Sequence, residues 1–143
     1  MNNGLTLLEL LAVIGILVVF LGLGYINFSR FKTKQDLINA ANQIYSDLQW
    51  IRQKSMGSAH SYGINFLSNG YILFEDIDDN MDYDASDTVV KREDFKNLTL
   101  SGCGTVIFSR RGIANTQCTI KISNNIYNAS KEIFISQFKI RIQ

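Results

Sequence analysis

The sequence predicts an α+β fold: one long N-terminal helix, apolar in its first half and amphipathic in its second, packed on a small antiparallel β domain. Three observations carry this. An apolar run extends almost unbroken from Leu10 to Ile26. Leu37, Ala40, Ala41, Ile44, Leu48 and Ile51 then recur at spacings of three and four, which places them on one stripe of a helix. After Gly57 the period changes to two, and short alternating segments are separated by turn residues. The chain of 143 residues has room for one such helix and one domain of about 85 to 90 residues, near the small end of independent domains.

Residues 1–4, Met1-Asn2-Asn3-Gly4, form a polar leader without Lys or Arg, and no Ala-x-Ala-like site follows the apolar run. An ordinary secretory signal has both features. Residues 5–28 supply the roughly 20 apolar positions that cross a bilayer core. Gly15, Gly22 and Gly24 are tolerated there and permit close helix approach. Arg30, Lys32 and Lys34 follow the span. By the positive-inside rule they favour the cytoplasmic side, against the topology adopted below. Residues 29–56 form the amphipathic half, with Gly57 as the stop signal. The whole helix would be about 75 Å long. Residues 57–143 read as the β domain. Ser61 to Phe66 and Tyr71 to Phe74 flank Ser68-Asn69-Gly70, a hairpin signal. Further strands are expected at Val89-Val90, Leu98 to Leu100, Val106 to Phe108, Thr119 to Ile122, Glu132 to Ile135 and Phe138 to Ile142.

Glu9 stands at the mouth of the apolar run. A carboxylate inside a membrane segment is costly and marks function by default. Gly4-Leu5-Thr6-Leu7-Leu8-Glu9 resembles the N-terminus of the type IV pilin superfamily. The resemblance implies that a prepilin peptidase cuts after Gly4, that the new N-terminal Leu5 is N-methylated, and that Glu9 directs assembly. It also implies a single-pass protein of the inner membrane with a periplasmic or extracellular domain, whose partners are other pilins or pseudopilins of one filament. Within the superfamily the chain resembles the GspH/FimT/FimU group. The segments that carry this are Asp47 to Ser55, Ile64-Asn65-Phe66, Phe108-Ser109-Arg110-Arg111-Gly112 and Ile133 to Arg141. The implied function is a minor pilin or pseudopilin of a type IV pilus or a type II secretion pseudopilus. One alternative is a DNA-binding minor pilin for DNA uptake. An alternative of another class is a single-span membrane protein with a periplasmic binding module.

The DNA alternative rests on the chain's C-terminal end. Uptake members of the group close on Gly-Arg-x-Arg, where this chain has Phe138-Lys139-Ile140-Arg141, without the Gly and with Lys for the first Arg. Two bases two apart on a strand share a face. Arg110 and Arg111, with Lys121 and Lys131, would extend a patch that grips phosphates without reading sequence. Charge is uneven along the chain. Glu75 to Asp94 holds nine acids and two bases, while seven bases and one acid follow from Phe95, although the net charge is only +1. Such asymmetry marks either an interaction surface or an internal complementarity.

The acidic stretch Asp76 to Asp87 has the oxygen density of a calcium loop. Asp78, Asn80, Asp82 and Asp87 are spaced to converge in a tight loop, with Asp84 in reserve. The EF-hand pattern wants Gly at its sixth position, where a start at Asp76 puts Met81. The alternative is a solvated loop without an ion. Cys103 and Cys118 fall in the exported part and suggest one disulfide, the alternative being two buried thiols. His60 is the only histidine and has no Cys or acid partner in sequence, so no catalytic constellation is visible. The chain reads as a substrate of processing enzymes and not as an enzyme, with no small-molecule substrate.

Overall fold

The computed structural model describes the backbone of residues 6–124 and 129–142, and their side chains except those of 21–27. Helix α1 (Leu7–Met56) starts on a capping box. Thr6 precedes it, the Thr6 hydroxyl accepts from the Glu9 N–H at 3.3 Å, and Glu9 stands three residues on. The chain divides into two compact units between Lys34 and Gln35.

In the first unit the side chains from Leu7 to Phe20 are all exposed, Leu7 at 80% and Leu8 at 79%. Among the described residues, no helix is long and apolar enough to cross a membrane. The side chains of residues 21–27, inside the expected span, are outside that description.

The second unit joins the rest of α1 to two four-stranded antiparallel sheets. Its strands are β1 (Ser61–Leu67), β2 (Gly70–Asp76), β3 (Thr88–Asp94), β4 (Thr99–Ser101), β5 (Thr105–Phe108), β6 (Cys118–Asn124), β7 (Ala129–Ile135) and β8 (Ile140–Ile142). The first sheet has the order β3-β2-β1-β5 and the second β4-β6-β7-β8. The expected stripe on α1 is buried, with Ile44, Leu48 and Ile51 fully so. It joins Ile64, Tyr71 and Val106 from one sheet and Ile120, Ile122 and Ile133 from the other in a single core. Every residue of that core lies at or beyond Leu37, so this unit carries its own core. The disulfide is formed between Cys103 and Cys118, and ties the β4–β5 loop to the start of β6.

Two expectations change in detail. The hairpin closes on Ser68-Asn69, with Leu67 opposite Gly70, and neither turn residue has the positive φ of the usual Asn-Gly turn. Gly70 is required for another reason: a Cβ there would overlap the Glu93 carbonyl oxygen on β3. The closing strand also starts two residues later than expected, so Lys139 belongs to the turn before β8.

The outer face of the first sheet is not bare. Phe74 lies opposite Gly63, where a Cβ would strike its ring, and Tyr83 of the acidic loop stacks on Phe74 at 4.7 Å between centroids. The loop thereby covers apolar surface.

Candidate functional site

Three places hold the residues singled out by the sequence. At the N-terminus Gly4 and Leu5 lie outside the described residues. Glu9 is exposed in the first turn of α1, where the helix dipole favours a carboxylate. The Thr6 hydroxyl caps the Glu9 backbone N–H, a local bond that does not use the Glu9 side chain.

The second place is the β2–β3 loop. Asp76 is wholly buried at the end of β2 and accepts from the N–H groups of Asn80 (3.1 Å) and Met81 (3.0 Å). Asp76, Asp78 and Asp87 each bring an oxygen to within 4.8 Å of the others. Asn80 donates its amide to Asp78 and Asp84 at 3.0 and 2.9 Å. Asp87 accepts from the N–H groups of Ile77 and Asp84. Asp82 does not converge, since its carboxylate takes the Tyr83 N–H. Of the carboxylates in the sequence set, Asp78 and Asp87 converge, Asp82 and Asp84 do not join them, and Asp76, which the sequence reading leaves out, does. Asp76 opens the twelve-residue pattern, and that register was its available signal. Met81 at the sixth position has φ 64°, the left-handed conformation for which the pattern normally needs Gly. Burial pushes the Asp76 carboxyl above the usual range, with the Asp78 contact and the Asp87 charge adding to it. Three oxygens of this kind suit a hard cation.

The third place is basic. Lys139 and Arg141 line one shallow depression of about 330 Å³ with Phe134 and Ser136, and both are exposed. Arg110 and Arg111 line a different depression, with Asp79 and Met81. Arg110 binds Asp79 at 2.7 Å, so the expected single patch is two, one of them partly neutralised by the acidic loop. The Ser61 N–H, followed by the nearby Arg110 charge, holds the Asp79 carboxyl below the usual range.

Arg52, Asp47 and Ser55, whose hydroxyl accepts from the Tyr62 N–H at 3.0 Å, tie the amphipathic half-helix to the β domain. Arg52 donates to the Gly112 carbonyl at 2.9 Å and the Phe138 carbonyl at 3.2 Å, joining the turns after β5 and β7. Asp47 accepts from the buried Tyr71 hydroxyl at 2.5 Å and from Lys91 at 2.8 Å. Burial and the Asp47 carboxylate raise the Tyr71 pKa far above the phenol range. Burial opposes the charge of Lys91, but Asp47 and Glu93 outweigh it and the pKa is raised.

A long helix packed through its second half on two small antiparallel sheets is a pilin-like α+β architecture. Residues 40–137 match the family described as Type II transport protein GspH, and the chain belongs to that family. It is similar in fold to the type IV minor pilin FimU of Pseudomonas aeruginosa, at 18% identity and a TM-score of 0.59, over 79% of this chain and 92% of that one. It is also similar to the minor pseudopilin EpsH from the Type 2 Secretion System of Vibrio cholerae, at 13% identity and a TM-score of 0.57, over 76% of this chain and 96% of that one. No curated protein matches the sequence. The chain is a structural member of the type IV pilin superfamily and not an enzyme.

Proposed function

We propose that this chain is a minor pilin or pseudopilin that assembles through its N-terminal helix into a type IV pilus or a type II secretion pseudopilus. The observation that carries the reading is Glu9, in the first turn of a helix whose apolar side chains to Phe20 are all exposed. Such a surface needs cover, first from the inner membrane and then from neighbouring helices. Cleavage after Gly4 frees the amine of Leu5, which is then methylated. A buried carboxylate costs several kcal/mol unless it is paired. Pairing Glu9 with the terminal amine of an adjoining subunit satisfies both charges and fixes axial register. Glu9→Ala is therefore expected to be processed and to remain in the membrane but to be depleted from sheared filaments. Equal recovery of variant and wild type would refute the assembly role and favour a single-span binding protein. Mass spectrometry of the mature chain checks processing: Leu5 comes first, with a methylated amine.

Duplex DNA binding has one observation behind it: Lys139 and Arg141 share a depression with Phe134 and have no ion pair among the described residues. It predicts a mobility shift of any duplex by residues 35–143 that is lost in Lys139→Gln/Arg141→Gln and falls steeply with salt. No shift at about 50 mM salt removes it. The acidic loop is proposed as a Ca²⁺ site through Asp76, Asp78 and Asp87, supported by their convergence and by the backbone of Met81.

A further inference from the structure

The first unit ends in five exposed side chains of two kinds. Phe28 and Phe31 are 67% and 64% exposed, and Arg30, Lys32 and Lys34 are exposed between and after them. All five precede the domain core, which begins at Leu37. None of the ion pairs among the described residues uses the three cations. The sequence has no acid from Leu10 to Gln35, and the exposed Asp36 makes no ion pair with them.

Two features of this placement select an occupant. The first is depth. A helix rising about 1.5 Å per residue carries Phe28 about 32 Å from Leu7, close to the thickness of a hydrocarbon core, about 30 Å. Arg30 to Lys34 then occupy roughly the next 3–9 Å, where a headgroup layer about 5–8 Å deep lies. The second is spread around the axis. At about 100° per residue, Lys32 stands about 40° from Phe28, while Arg30 and Lys34 stand on the opposite side. An acidic patch on a folded protein meets one side of a helix. A layer of anionic headgroups surrounds the helix and meets all three cations. In the topology implied by the N-terminal motif these cations also lie outside the cytoplasm, against the rule that orients spans. An anionic leaflet gives them a local partner on that side.

We propose that residues 28–34 form a collar that binds anionic phospholipid headgroups. Arg30, Lys32 and Lys34 take the phosphates, and Phe28 and Phe31 sit at the boundary with the hydrocarbon, as apolar rings beside a basic face do. The collar rests on the membrane stage of the proposed function. It deepens that reading by naming the lipid class the subunit takes there.

The test uses the full chain in nanodiscs of equal phosphatidylglycerol and phosphatidylcholine, with mass spectrometry of the lipids retained on release into detergent. Wild type keeps phosphatidylglycerol over phosphatidylcholine by about five-fold or more, the worth of one cation beside an anionic surface. The preference falls as salt is raised before release. Arg30→Gln/Lys32→Gln/Lys34→Gln, at exposed positions outside the core, melts as wild type does and retains the two lipids equally. Arg30→Lys keeps the preference, because charge carries it and not guanidinium geometry. Equal retention by wild type overturns the collar, as does a preference that survives in the triple variant. So does a triple variant lost from sheared filaments while wild type retains both lipids equally, which gives the cations to acids of a neighbouring subunit. A chain that alkaline extraction strips from cell membranes overturns the membrane reading itself. A chain that resists extraction but shows no lipid preference overturns the collar alone.

Discussion

The two halves of α1 belong to one continuous helix and meet opposite fates. From Leu7 to Phe20 the apolar side chains are exposed on every face, whereas from Leu37 to Ile51 a stripe of them (Leu37, Ala40, Ala41, Ile44, Leu48 and Ile51) is buried and Trp50 stays exposed. The difference lies in composition and in pattern: the first stretch is almost wholly apolar, and the second intersperses its apolar stripe with Asn, Gln, Ser and Asp. A helix apolar all round has no face to give to water, so it needs a partner along its whole circumference. A striped helix needs one, and the two sheets of its own chain supply it. The first half is therefore committed to something outside the chain, and the second to the domain.

The largest effect expected from that contrast is on folding. Leu48→Ala, at a fully buried site, should cost residues 35–143 about 3 kcal/mol and lower the melting temperature on the order of 15 °C. Leu11→Ala in the full chain should leave the domain's melting unchanged, because that side chain is 65% exposed. Equal losses for the two would erase the distinction between the halves.

Next comes the polar tie at the buried end of the comparison. Asp47→Ala leaves the buried Tyr71 hydroxyl without its acceptor, which should cost about 1–3 kcal/mol in denaturant unfolding. Tyr71→Phe with Asp47→Ala should cost less than the sum of the two single changes. Full additivity would mean that the pair does not couple.

Carboxylates extend the contrast, since Glu9 is exposed and Asp76 buried. Burial raises the Asp76 pKa, so the folded state holds the proton more tightly than the unfolded chain. Ionised Asp76 therefore opposes folding at neutral pH, and this opposition fades as pH falls through its raised value toward the ordinary carboxylate range. A bound cation should relieve the same cost. With the affinity of extracellular calcium modules, about 5 mM Ca²⁺ should stabilise residues 35–143 by about 1–2 kcal/mol at pH 7. The gain should shrink near pH 4, where protons take the same oxygens. An unchanged melting temperature at pH 7 would dispose of the calcium proposal.

The smallest effect is predicted for Glu9 itself. Replacing it should leave the melting of the domain within about 0.5 kcal/mol, as expected for an exposed site away from any core. A larger loss would mean that Glu9 acts on folding as well as on assembly.

Local patterns were enough to fix the helix and its change of character, because 3.6-residue and two-residue periodicities are written in consecutive side chains. The same holds for the hairpin that closes on Ser68-Asn69. Contacts between distant segments were not legible in that way. Asn-Gly placed the hairpin correctly, yet Gly70 is small because β3 passes against it and not because of the turn. Arg110 looked like part of a basic patch until folding set it on Asp79, thirty-one residues earlier. Asp76 opened the acidic stretch in sequence but was left out of the converging set, and folding made it the last residue of β2 and the buried member of the acidic site. Which sheet edges are sealed also depends on loops that cross from one element to another, as at Asn115 and Ser68. By itself the sequence determined the elements and the change in character along the helix, since both follow from residue type and spacing. Only the tertiary structure decided which charges are neutralised and which edges are sealed, because those depend on long-range contacts that no local period encodes.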